Sequence, residues 1–264
     1  METQFFTTRA AENVGLHWIT VKSNALQKRA DISVFVPKGV TLEPGLPLVI
    51  LLHGVYGSHW AWTAYGQVHE TAQLLIDRGE ITPMILAMPS DGLFGDGSAY
   101  VPHQQENYES WITEDVVQVM REQFPVITTD SPLFITGLSM GGFGALRLGA
   151  KYPRLFRAFS GLSSITHFEQ LKLFVADFPA LQAAAREQDG VLDWLQKNRA
   201  QVPSFRFDCG SEDLLIEFNR QLHKALTDLN ILHYYEEFPG GHSWEYWQTH
   251  IAKTLLFFNA CLNK

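Results

Sequence analysis

The chain has 264 residues, enough for one large α/β domain or two small ones and for a substantial core. Its 20 Lys and Arg against 28 Asp and Glu give a formal charge of −8, and the acidic residues are scattered, which argues against a nucleic-acid surface. Two cysteines, Cys209 and Cys261, make no disulfide framework, no apolar run approaches a membrane span, and the N-terminus lacks a basic stretch followed by an apolar core; a cytoplasmic protein without a membrane partner is the expectation.

Residues 15–22 and 30–37 alternate polar and apolar side chains, with a polar stretch between them. They read as an antiparallel pair at a sheet edge, half exposed. A loop over 37–47 leads to Leu48–Leu52, apolar throughout, as a central strand covered on both faces would be. The glycine-bearing turn over 53–62 follows it. A helix is predicted over 67–78, where Val68, Ala72, Leu75 and Ile76 form one stripe, and a buried strand over 84–88. In the glycine-rich loop 89–100, Asp91 and Asp96 fit no metal-ligand spacing and read as solvated turn carboxylates. A helix is expected over 108–124, ended by Pro125, with Trp111, Ile112, Val116, Val119 and Met120 at helical spacing.

A β-branched, apolar strand over 133–136 then runs into Gly137-Leu138-Ser139-Met140-Gly141, with a helix beyond it over 145–151. Strand, sharp turn and helix are the setting a G-x-S-x-G nucleophile requires, because the strained serine tolerates only small neighbours. A strand is expected over 156–160. Residues 162–201 are helix-rich and read as a small cap-like insertion within one domain spanning 1–264. A strand over 204–209, a helix over 214–229, a strand over 233–238 and a closing helix over 245–261 complete the chain. Alternating strands and helices give an α/β fold with one doubly wound, mostly parallel sheet.

A serine hydroxyl is a poor nucleophile at neutral pH, so it needs a base, and the base needs a partner that fixes its tautomer. Downstream of Ser139, Asp213 follows one strand and His242 follows the last, in the glycine-rich turn 239–244. Both turns lie at the carboxyl edge of the sheet, in the order Ser, Asp, His that this architecture uses. Glu212 is a competing acid, whereas Asp208 lies within its strand. His223, His233 and His250 sit in regular elements. The amides of Val55 and Met140 are the expected oxyanion donors, with Tyr56 as the alternative to Val55. His53 is read as ordering the turn through its ring hydrogen bonds.

His53-Gly54-x-x-Gly57-Ser58 with Trp62, the Gly137 to Gly142 run, Gly210-x-x-Asp213 and Gly240-Gly241-His242-x-Trp244 resemble the family named Putative esterase. That family takes in esterase D or S-formylglutathione hydrolases, feruloyl and acetyl esterases, tributyrin esterases and mycolyltransferases. The resemblance runs from about residue 46 to the last helix. It implies an α/β-hydrolase fold, carboxylic ester hydrolysis without a cofactor or metal, and Ser139, Asp213 and His242 as the triad. Glutathione-thioester members usually carry a Ser-Gly-Leu-Thr-Cys-type loop, and His53-Gly54-Val55-Tyr56-Gly57 departs from it, which favours a simple carboxylesterase or carbohydrate esterase.

The expected partner is therefore a small-molecule ester carrying a short acyl, acetylated-sugar or feruloyl-type group. Tyr56, Trp60, Trp62, His167 and Trp244 are the candidate substrate-binding side chains, and each of them also suits plain core packing. A thioesterase of the S-formylglutathione type and a catalytically silent hydrolase fold used for binding are the competing readings. A homo-oligomer stays open.

Overall fold

In the computed structural model, which describes residues 4–11 and 14–262, chemistry-bearing turns gather at one edge of a single sheet. The strands are β1 (Gln4–Ala11), β2 (Leu16–Lys22), β3 (Arg29–Phe35), β4 (Leu48–Leu52), β5 (Ile85–Pro89), β6 (Leu133–Gly137), β7 (Ala158–Leu162), β8 (Ser204–Gly210) and β9 (Tyr234–Phe238). They form a nine-stranded sheet in the order β1-β2-β3-β5-β4-β6-β7-β8-β9. The pairings of β1 with β2, β2 with β3 and β3 with β5 are antiparallel, and all the others are parallel. This is the α/β-hydrolase arrangement, with antiparallel strands added at the N-terminal side.

The alternation of side chains along a strand divides the core in two. Leu48, Ile50 and Leu52 of β4 face one layer with Ile135, Phe159, Phe205 and Phe207. Val49 and Leu51 face the other with Phe134 and Leu86. The second layer is closed by the helix Val68–Asp77, through Val68, Ala72, Leu75 and Ile76, and by the long C-terminal helix Trp244–Cys261, through Ile251, Leu255 and Phe258. Burying both faces is why β4 and β5 read as unbroken apolar runs.

Three elements differ from the expectations. The strand β1 pairs with β2 and extends the sheet by one strand beyond the expected edge. The stretch 108–124 is helical but not regular: Tyr108–Ser110 is followed by a π-helical turn over Trp111–Val116 and then by Val117–Gln123. The strand after the nucleophile turn is Ala158–Leu162, two residues later than the apolar pattern suggests. The short helix Ala61–Ala64 lies in the turn after β4. Both cysteines are buried and, among the described residues, neither is in a disulfide, and no helix is long and apolar enough to cross a membrane.

Residues 162–201 fold as a 3-10 turn over Phe168–Leu173 and two short helices, Phe178–Ala184 and Val191–Lys197. Their Phe168, Leu171, Leu181, Val191 and Leu195 are buried in the larger core. A buried ion network ties them down. Arg147 is fully buried in the helix Met140–Lys151 and donates from Nη1 to Glu109 Oε2 at 2.6 Å. Its Nη2 donates to Glu187 Oε1, and Lys151 Nζ reaches Glu109 at 2.8 Å and Glu187 at 2.7 Å.

Removing one member of such a network leaves buried charge without its full set of partners. Arg147→Met is expected to lower the free energy of urea unfolding by on the order of 3 kcal/mol. A loss below about 0.5 kcal/mol would show that the network contributes no more than surface pairs do.

Candidate active site

The backbone of Ser139 turns sharply between β6 and the helix Met140–Lys151. Its φ is 55° and its ψ is −117°, a conformation costing about 1–3 kcal/mol for a residue with a Cβ. The surroundings enforce it. Ser139 N donates to Leu162 O at 3.0 Å and Leu138 N to Leu52 O at 3.2 Å, while Ser139 O accepts from Phe143 N at 3.0 Å. Only glycine fits beside it: a Cβ on Gly137 would lie 2.3 Å from Gly141 O, and one on Gly141 would lie 2.2 Å from Leu52 O.

His242 Nε2 lies 3.0 Å from Ser139 Oγ, and its Nδ1 lies 2.9 and 3.0 Å from the two carboxylate oxygens of Asp213. An ionised carboxylate can only accept, so Nδ1 carries the proton and Nε2 is left to accept from the serine hydroxyl. Asp213 is 2 % exposed, and Leu215 N donates to its Oδ1 at 2.8 Å. The imidazole is also held by rings: Phe174 stacks on it at 5.3 Å and Trp247 meets it edge-on at 4.9 Å. The competing acids are elsewhere. Glu212 is exposed, and the Asp208 carboxylate takes Tyr246 Oη and Arg206 Nη1, both at 2.8 Å.

The turn after β4 is braced from the loop after β5. His53 is buried; its Nδ1–H donates to Gly54 O at 2.7 Å, and its Nε2 accepts from Asp91 N at 2.9 Å. A ring nitrogen that accepts an amide is unprotonated, so His53 and the Asp91 carboxylate, at 3.8 Å, are not an ion pair. Burial accordingly holds the His53 pKa below its ordinary value. Asp91 departs from expectation: it is 2 % exposed, not solvated, and accepts from Leu93 N at 2.9 Å and Ser98 N at 2.7 Å. Nothing in the loop's composition signals this, because the partners are backbone amides.

Tyr56 N donates to Asp96 O at 2.9 Å, so the alternative oxyanion donor is already engaged. Met140 N opens a helix, where backbone N–H groups lack intrahelical partners. The side chains of Val55 and Met140 both pack around Gly97, where a Cβ would meet Met140 Sδ at 2.4 Å and Val55 Cγ1 at 3.4 Å.

A cavity of about 670 Å³ opens over Ser139 and His242. Tyr56, Trp60 and Trp244 line it, as the sequence suggests. Two expected walls do not. Trp62 is 1 % exposed in the core and donates Nε1–H to Leu52 O at 3.0 Å, and the exposed His167 caps the 3-10 turn, accepting from Glu169 N at 3.4 Å. Tyr65, Phe174 and Trp247 line the cavity in addition. Trp247 stands three residues after Trp244 on a helix, a spacing that could have revealed it. Phe174 follows the 3-10 turn and carries no such signal. It is tied across the site, since Tyr56 Oη donates to Phe174 O and Ala176 N donates to Asp96 Oδ2 at 2.8 Å. Among the described residues, no group of three or more His, Cys, Asp or Glu side chains could hold a metal ion.

A family model described as "Putative esterase" matches residues 23–258. An acetyl esterase of Caldicellulosiruptor saccharolyticus is 27 % identical over 262 residues, covering 89 % of this chain and 94 % of the relative. Among solved structures, a ferulic acid esterase superposes with a TM-score of 0.78 at 22 % identity, covering 98 % of both chains. An S-formylglutathione hydrolase from Agrobacterium tumefaciens gives 0.76 at 20 % identity, covering 97 % of this chain and 98 % of its own. At these identities the structural likenesses establish the α/β-hydrolase fold.

Burial lowers the pKa of His53, His59, His69, His103, His233 and His250 from 6.5. As pH falls below that value the unfolded chain takes up protons first, so the stability tied to neutral histidine is full above it and drains away toward the folded values. The melting temperature is expected to drop between about pH 7.5 and pH 5.5. A constant or rising melting temperature would contradict the neutral assignment of these rings.

Proposed function

Because this chain belongs to the Putative esterase family and is an ester-hydrolysing enzyme, we propose that it is a serine carboxylesterase working through an acyl-enzyme on Ser139. One observation carries the reading: the unbroken path from Ser139 Oγ through both nitrogens of His242 to Asp213. His242 Nε2 takes the serine proton as Oγ attacks the ester carbonyl. Asp213 steadies the imidazolium that forms, and the rings of Phe174, stacked, and Trp247, edge-on, hold it in register. The amides of Val55 and Met140 receive the tetrahedral oxyanion. His242 then gives its proton to the leaving alcohol, the ester C–O bond breaks, and water repeats the sequence on the acyl-serine. The complete proton path argues against a silent binding protein.

The acetyl and ferulic acid esterase relatives point toward oxyesters with short or aromatic acyl groups. The cavity supports the same preference, since aromatic rings dominate its wall. A glutathione thioester fits it poorly. Glutathione carries two carboxylates, whereas among the described residues no Lys or Arg lines the cavity and Glu245 does. We read residues 162–201 as a small cap, with Phe174 as the side chain it lends to the site, and the cytoplasm as the place of action.

Ser139→Ala is expected to lower kcat on p-nitrophenyl acetate by on the order of a million-fold with little change in KM. The wild-type enzyme is expected to turn over p-nitrophenyl acetate and methyl ferulate faster than S-formylglutathione. Activity of Ser139→Ala within about tenfold of wild type would refute the nucleophile, and a preference for the thioester would refute the substrate class.

A further inference from the structure

The rings lining the cavity form a continuous wall. Trp60 and Tyr65 lie 5.7 Å apart, Tyr65 and Trp244 5.5 Å, Trp244 and Trp247 5.2 Å, and Trp247 and His242 4.9 Å. The outer part of this wall is open to solvent: Trp60 is 39 % and Tyr65 55 % exposed. Large rings left exposed together mark a surface kept for a ligand. Next to Trp244 in the chain stands Glu245, in the first turn of the closing helix. Among the described residues it is the one Asp, Glu, Lys or Arg that lines the cavity.

The Glu245 carboxylate is held in its ionised form by the Ser243 side chain and its own backbone amide, which draw its pKa below the ordinary carboxylate value. Neither of these groups carries a balancing positive charge. No Lys, Arg or His stands within ion-pair distance of it among the described residues. An unpaired anion beside electron-rich ring faces is the environment that attracts a cation, because both the charge and the ring quadrupoles point the same way.

Resting on the esterase reading of the same cavity, we propose that Trp60, Tyr65, Trp244 and Glu245 form a subsite for a positively charged group. The preferred substrates are esters that carry an ammonium or quaternary ammonium a short distance from the scissile bond. The ester carbonyl sits at Ser139 and the cation lies along the ring wall near Glu245. Glu245 is then a specificity-determining residue: it selects among esters and takes no part in proton transfer. A carboxylate that only stabilises the start of its helix would affect all esters alike.

The test compares the acetate esters of choline and of 3,3-dimethylbutanol, its uncharged carbon isostere, by kcat/KM at low ionic strength. The cationic ester is expected to be favoured by about tenfold, and the preference to shrink in high salt. In Glu245→Gln the ratio is expected to fall below about threefold, the neutral ester serving as the internal control for folding. Equal or faster turnover of the neutral ester would overturn the cation subsite, as would an undiminished ratio in Glu245→Gln. Cleavage of p-nitrophenyl acetate but of neither isostere would overturn it too, leaving the esterase reading intact. Inactivity on all three esters would instead bring down the esterase reading and this subsite with it.

Discussion

The positive φ of Ser139 is the constraint on which the rest of the site depends. A residue with a Cβ stays in that conformation only if its neighbours leave it no other, and here they are backbone atoms. Leu52 and Leu162, at the ends of two flanking strands, accept the amides of Leu138 and Ser139, and Gly141 passes so close to Leu52 that no side chain could be added. The strain therefore fixes three parallel strands at one height. It also ends the strand and starts the helix within three residues, lifting Oγ clear of the sheet and setting Met140 N at a helix start.

On the proposed mechanism, the protein uses rigid backbone around that point where charge would develop and rings where the substrate would fit. The turn carrying Val55 is not free to move: the His53 ring spans Gly54 and Asp91, Tyr100 Oη holds His53 O at 3.0 Å, and Asp96 O takes Tyr56 N. On the proposed mechanism, a turn held this way would need no reorganisation when the oxyanion forms. The same loop reaches residues 174–176 through Asp96, so the brace of the oxyanion turn and the placing of Phe174 over His242 share one segment. Changes in that loop should couple the chemical step to substrate fit.

Much of this was legible in the sequence, for physical reasons. Leu48–Leu52 had to be a central strand because only a strand covered on both faces can be apolar at every position. Gly137, Gly141, Asp213 and His242 announced themselves because turns at a strand's carboxyl end are short and each needs a particular residue. The failures share one cause: they depend on contacts between segments distant in the chain. Trp62 and Trp60 are equivalent as letters, yet Trp62 buries its ring and satisfies Leu52 O while Trp60 faces the cavity. Asp91 looks like any turn carboxylate until Ser98 N and Leu93 N fold back onto it. Phe174 reaches His242 only because the insertion crosses the site, and no local periodicity records a crossing. The π-helical turn over Trp111–Val116 is a local departure within an otherwise readable helix.

The central claim is that Ser139 becomes acylated and that His242 is needed to load and release it. The most direct measurement is mass spectrometry of acid-quenched enzyme after brief mixing with p-nitrophenyl acetate, followed by peptide mapping. The account predicts one acetyl group on the peptide containing Ser139, located on Ser139 itself, forming as fast as turnover requires and absent in His242→Ala over the same interval. Turnover without acetyl on Ser139, or acetyl carried at a competent rate by another residue, would contradict it.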